Sequence, residues 1–204
     1  MTGRQGRAEF LPASSRKAVP WKNGGGLTRE IAVAPAGADL AHFDWRVSTA
    51  QVRSAGAFSS FPGIDRHLCV LAGELRLSVA GGADVWLSAQ SAPLEFPGDV
   101  LAHAEPRGTE VTDLNVMVRR GRFAARLTRG RVGDGARLTL GTATALIFAL
   151  ADLTVDAGGV AYRLACWDAL RLAGPERCAL SAAAHAAFYL IEITPRGRQT
   201  ADDS

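Results

Sequence analysis

Charged side chains set among apolar neighbours carry the most informative chemistry in this chain. Residues 43–73, FDWRVSTAQVRSAGAFSSFPGIDRHLCVLAG, place Arg46, Asp65 and Arg66 in two alternating runs on either side of a turn-rich centre. A later run, TDLNVMVRRG at 112–121, carries Asp113, Asn115, Arg119 and Arg120. A guanidinium matches a carboxylate bidentately and keeps its charge when buried. The set therefore points to recognition of a small anion. Side chains alternate along an extended chain, so Asp113, Asn115, Met117 and Arg119 share one face and Arg120 takes the other. A plainer reading has Asp44, Asp65 and Asp113 pairing with these arginines to tie strand ends together. For a single arginine that reading serves as well; for the set a site is favoured, because several buried charges would otherwise go uncompensated.

Catalytic patterns are scarce. Asp65, His67 or Glu30 offers a general base and Asn115 a way to orient a substrate. There is no nucleophile elbow, HExxH or Ser-His-Asp order. The triple glycine 24–26 is not followed by Gly-Lys-Ser/Thr, and the β-prone LTREIAVAP follows it in place of a helix. We read it as a loop that lets backbone approach closely. Lys22 and Asn23 beside it offer donors to an oxyanion; Asn23 serves binding better than catalysis, where holding the turn accounts for it. The three cysteines show no CxxC spacing, and Cys69 in its apolar run reads as a small core residue. No catalytic residue is assigned and no cofactor is expected.

The elements that must position these groups read as strands. Residues 9–11 form a first short strand. In 43–52, Phe43, Trp45, Val47 and Thr49 share one face, and Asp44, Arg46, Ser48 and Ala50 the other. If a sheet covers both faces, the polar one looks into a barrel. Strands follow at 66–71 and 75–79, with Ala72-Gly73-Glu74 as the turn between them and Gly81-Gly82 closing a hairpin onto 85–87. The run 112–121 is another strand. Weaker runs lie at 136–140, 145–150, 160–164, 169–172 and 188–193, and the alanine-rich 181–187 suits a short helix. Many short strands imply an all-β sandwich or barrel. A chain of 204 residues with 22 glycines, 48% hydrophobic and 21% charged residues fits this. The net charge is only +3 and no Lys/Arg run occurs, so nucleic-acid binding is not expected. No stretch approaches transmembrane length and the N-terminus lacks a signal-peptide core, so no membrane partner is expected and a cytoplasmic setting is the default.

In order, PWKNGGGLTREI, FDWRVSTAQV, GAFSSFPGIDRHLCVLAGE, FPGD and DLNVMVRRG resemble the motifs of the HutD/Ves family, cupin-superfamily proteins associated with bacterial histidine utilisation. They span Pro20 to Gly121. The resemblance implies an all-β bicupin, two RmlC-like jelly-roll halves in one compact unit. Residues 1–121 would be the half bearing the motifs and 122–204 a degenerate second half. It also implies a binding role, regulatory or accessory, toward a small anionic metabolite of histidine catabolism such as urocanate or a formylated glutamate. Arg66, Arg46, Asn115 and Arg119 would hold that ligand with Asp65 beside them, and Trp21 and Asn23 would close the mouth. A homodimer is allowed. Many cupins hold a metal through two histidines one residue apart, a glutamate and a later histidine. His42, His67, His103 and His185 lack that spacing, although His67 and His103 fall near the relevant places, and no metal is expected. A metal-independent isomerase or hydrolase on such an intermediate is the alternative; a barrel filled by its own side chains, serving interaction alone, is a third reading.

Overall fold

Period-two alternation becomes strand along almost the whole chain. The computed structural model describes residues 8–21, 24–133, 136–141 and 144–197. The strands of the first half are β1 (Ala8–Leu11), β2 (Ala18–Pro20), β3 (Gly26–Ala34), β4 (Trp45–Val52), β5 (Gly56–Ala57), β6 (Ile64–Val79), β7 (Val85–Ser88), β8 (Leu94–Pro97) and β9 (Ala102–Arg119). Those of the second are β10 (Phe123–Val132), β11 (Ala136–Leu140), β12 (Thr144–Ala149), β13 (Leu153–Ala157), β14 (Val160–Leu164), β15 (Ala169–Ala173), β16 (Glu176–Ser181) and β17 (Ala186–Pro195). Among the described residues the only helical element is one 3-10 turn, Ala13–Ser15.

The first half is one eight-stranded sheet in the order β2-β3-β4-β9-β6-β7, with β5 added on β9 and β8 on β6. Its spine is the pair β6 and β9, 16 and 18 residues long. They run antiparallel from Ile64 opposite Arg119 to Val79 opposite Ala102, with irregular register around Ala72. Two layers form because these strands bend. The expected turn at Ala72-Gly73-Glu74 is therefore a bulge inside one continuous strand. Gly73 makes it with φ +83°, where a Cβ would meet the Glu110 carbonyl oxygen at 2.9 Å. A left-handed glycine bends a strand without ending its pairing.

The second half packs a five-stranded sheet, β1-β15-β12-β17-β10, against a four-stranded one, β11-β16-β13-β14. Between them lies a core of aliphatic residues with Phe188, including Ile147, Val155, Leu170 and Leu180. β1, early in the chain, pairs with β15 of this half, from Ala8 opposite Leu172 to Leu11 opposite Ala169. The outer face of the five-stranded sheet, with Leu146, Phe148, Tyr189, Ile191 and Ile193, covers Trp45, Val47, Cys69, Leu114, Val116 and Val118 of the first half. Strands β4, β9 and β6 are thus shielded on both faces.

Three sequence expectations change. Phe43 packs with Val33, Ile64 and Met117 on the inner side, away from Trp45 and Val47. It precedes β4, and the bend at Asp44 breaks the alternation. The alanine-rich 181–187 is no helix: Ser181 ends β16, 182–185 link the strands, and Ala186 and Ala187 open β17. A seven-residue segment is too short for helix propensity to outweigh strand pairing on both sides. Strands β10, β13 and β16 and the first half of β9 gave no strand signal strong enough to read.

The close approach expected at the glycine loop is real. A Cβ on Gly26 would lie 2.3 Å from the Gln51 carbonyl oxygen and 3.2 Å from the Trp21 ring. Gly26→Ala should lower stability by about 2–3 kcal/mol. Gly24→Ala, at φ +71° with open space around it, should cost only about 1 kcal/mol. Urea midpoints of the two variants check this; equal midpoints would show that the Gly26 contact is not tight.

Candidate functional site in the first barrel

Strand register decides which polar groups meet. Across β4, β9 and β6, Arg46 and Arg66 are both opposite Met117, Ser48 and Leu68 opposite Asn115, and Ala50 and Val70 opposite Asp113. Laterally paired residues point the same way. Because Leu68, Val70 and Met117 belong to the inner cores, Arg66, Asn115 and Asp113 also face the interior.

Arg66 is 4% exposed. Its guanidinium carbon lies 4.8 Å from the ring centre of Phe58, 5.1 Å from Phe96 and 5.9 Å from Phe61. Each ring face attracts the cation by about 0.5–2 kcal/mol. Even so, burial pulls the Arg66 pKa down to about 10, with Asp113 opposing the shift. Asp113 is 1% exposed. Burial pushes its carboxyl up to about 7, against the charge of Arg66 and, to a lesser degree, the Ala50 amide. Neither Asp113 oxygen has a well-formed hydrogen bond, and Asn115 Oδ1 and Arg66 Nε are also unpartnered. Four of the five buried side-chain atoms without a partner among the described residues belong to this one cluster. The fifth, Arg16 Nε, lies elsewhere. Leaving such an atom dry costs about 1–3 kcal/mol.

Trp21 stands beside the cluster. Its Nε1 donates to Thr28 Oγ1 at 2.8 Å, and its ring meets Phe58 edge-on at 6.2 Å. Arg46 Nε donates to Glu30 Oε2 at 2.8 Å. Arg46 and Glu30 also line a groove of about 480 Å³, with Leu11, Arg16 and Val19 among its walls.

Two expected site residues are placed apart from this group. Arg119 donates to the carbonyl oxygens of Phe43, at 2.8 and 3.2 Å, and Ala41, at 3.2 Å. Asp65 faces the side of β6 opposite Arg66 and pairs with Arg120 at 2.6 Å, which also binds Asp99 at 2.9 Å. The hydrogen bonds from Arg120 hold the Asp99 carboxyl down to about 2. With Asp44–Arg122 at 2.7 Å, these pairs fasten strand ends, as the plainer sequence reading has it. Asn23 lies outside the described residues. His67 is buried on the same side of β6 as Asp65, 3.8 Å from Glu95, and burial lowers its pKa. His103 is exposed on β9. Among the described residues no group of three or more His, Cys, Asp or Glu side chains is arranged to hold a metal, and no helix is long and apolar enough to cross a membrane.

Sequence reasoning left Asp113 out of the site, and the phenyl cage with it. The signals were present: Asp113 is two residues before Asn115 on the same face, and Phe58, Phe61 and Phe96 lie in AFSSFPG and LEFPGD.

In fold, the barrel is of the cupin type. The fold matches the cupin 2 conserved barrel domain protein of Leptotrichia buccalis with a TM-score of 0.58 at 11% identity, over 86% of this chain and 92% of that one. A family model described as HutD matches residues 13–190. The chain is 35% identical over 192 residues to an uncharacterized 21.2 kDa protein in the hutC 3' region of Pseudomonas putida, covering 92% of this chain and 98% of that protein. The structure of HutD from Pseudomonas fluorescens SBW25 aligns with a TM-score of 0.80 and 32% identity, over 93% of this chain and all of the other. The chain belongs to the HutD family.

The Asp113 shift has a consequence for stability. A carboxyl whose pKa is raised on folding favours the folded state while protonated. That contribution is full below its unfolded pKa near 4 and is lost as pH rises toward 7. Asp113→Asn should therefore gain on the wild type progressively between pH 4 and pH 7, with the opposing His67 effect cancelling in the comparison. Melting temperatures of both proteins at matched pH test this; a constant difference would place Asp113 in contact with water.

Proposed function

We propose that the first barrel binds a small carboxylate metabolite of histidine catabolism, of the urocanate or formylglutamate type, in a regulatory or accessory role. The observation that carries the reading is the buried Arg66 guanidinium with Asn115 and Asp113 further along the same inner wall, all holding unpartnered atoms. Buried arginine is the side chain best suited to hold a carboxylate in a dry site. The phenyl rings around it offer a flat apolar wall to the rest of a small ligand. Arg46 and Trp21 would border that ligand; Arg119 and Asp65 would hold the barrel end that supports it. The family, and a relative described by its place beside hutC, support the histidine connection.

A metal-independent isomerase or hydrolase on the same class of molecule is the second reading. One feature favours it: a carboxyl titrating near 7 beside the bound ligand has the pKa of a general base. Binding returns the ligand unchanged, whereas catalysis gives product by mass spectrometry.

Isothermal titration with urocanate and N-formylglutamate tests the site. Saturable binding to the wild type should weaken about 30-fold or more in Arg66→Met, as expected for losing a charge-assisted hydrogen bond, while the apolar stem keeps the phenyl cage filled. Arg119→Gln should stay within about threefold of wild type, since only its carbonyl contacts are lost. Unchanged affinity in Arg66→Met removes Arg66 from the site.

A further inference from the structure

We propose that Asp113, with Asn115, makes this site select carboxylates that carry an N–H or O–H donor opposite the acid group, so that plain carboxylates bind poorly. The proposal rests on the reading of the barrel as a carboxylate site and concerns which carboxylates it takes.

The unpartnered atoms are unequal in kind. Arg66 Nε is one donor; with Asp113 ionised, its Oδ1 and Oδ2 and Asn115 Oδ1 are three acceptors. The probes are therefore compared at a pH above the value of about 7 to which burial raises that carboxyl. A simple carboxylate satisfies the guanidinium and leaves all three acceptors dry. It also brings a second negative charge into a space that holds an acidic group already 1% exposed. A ligand with a donor at its far end completes both sets.

The register spaces the two ends. Arg66 is level with Met117 on β9, Asn115 is two residues along and Asp113 four, which is about 7 and 13 Å of strand. Neither Asp113 oxygen has a hydrogen-bond partner, Arg66 included, so the acidic end does not consume the basic one. On β6 the residues level with Asn115 and Asp113 are the apolar Leu68 and Val70. On β4 they are Ser48 and Ala50, and neither the Ser48 hydroxyl nor the Ala50 amide makes a well-formed hydrogen bond to these acceptors. Along this wall Asp113 and Asn115 are the groups with free acceptors. Asp113 is a specificity-determining residue on this reading, and Arg66 supplies the common anchor.

Two matched pairs of probes separate the ideas. Urocanate and cinnamate share the acrylate arm, and only urocanate has a ring N–H. N-formylglutamate and glutarate share two carboxylates, and only the first has an amide N–H. In wild-type protein the donor-bearing member of a binding pair should be preferred at least about tenfold. In Asp113→Leu that preference should fall to within about twofold of unity, with the loss borne by the donor-bearing member. Asp113→Asn, which keeps one acceptor, should show an intermediate ratio. Equal affinities within a pair in the wild type, or an unchanged ratio in Asp113→Leu, overturns the proposal while leaving the carboxylate site intact. Absence of binding by all four probes overturns the carboxylate reading itself. The wild-type comparison decides even if Asp113→Leu does not fold.

Discussion

A guanidinium buried among three phenyl rings, with its counter-charge out of contact, is the constraint the first barrel is built around. An isolated charge in a dry interior is among the most expensive things a fold can hold. Arg66 is held there by cation–π attraction from Phe58, Phe61 and Phe96 and by the field of Asp113. Neither replaces a hydrogen-bonded partner. Solvent cannot fill the gap from the back of the sheet, because the five-stranded sheet of the second half covers Trp45, Val47, Val116 and Val118 there. What reaches these groups must come from the interior side.

The second half shows that this chain can fill a β-sandwich with hydrocarbon. The core between its two sheets is aliphatic apart from Phe188, Tyr162 and Cys178. Asp168, its buried carboxylate, accepts at the edge from the backbone amides of Ala13 and Ala165, at 2.6 and 2.9 Å. The contrast is informative. Asp168 is satisfied by backbone amides, whereas Arg66, Asp113 and Asn115 of the first barrel hold unpartnered atoms. The second half is thus a packed apolar support for the sheet that carries this polar cluster.

Much of this arrangement was legible in the sequence. The alternation of FDWRVSTA identified an apolar and a polar face on β4, because a strand's period is two and both faces were to be covered. Arg66 and Asn115 were picked out because a charge or amide inside an apolar run has few explanations. What could not be read depends on long-range pairing. Ala72-Gly73-Glu74 looks the same locally as a turn or a bulge; only its continued pairing with β9 separates them. Phe43 lost its predicted face to a single bend at Asp44. Arg119 shares parity with Asn115, but its reach to the Phe43 carbonyl depends on a loop with no periodic signal. Asp113 looked like one more strand-end acid. Its burial and lack of partner exist only once three strands and the covering sheet are assembled.

On the carboxylate reading, the same three residues couple stability to recognition. Each unpartnered atom lowers the stability of the empty barrel, and a ligand that satisfies it returns that free energy on binding. Replacing the cluster by hydrocarbon of similar volume would give a barrel more like the second half, better packed and without the cluster's free atoms. On the same reading, Arg66, Asp113 and Asn115 are where folding stability is traded for recognition. The second half offsets that loss: its aliphatic core and the shared apolar layer hold β4, β6 and β9 in register without relying on the polar cluster. On the carboxylate reading, walls set by a separate apolar core would leave less ordering to oppose the ligand.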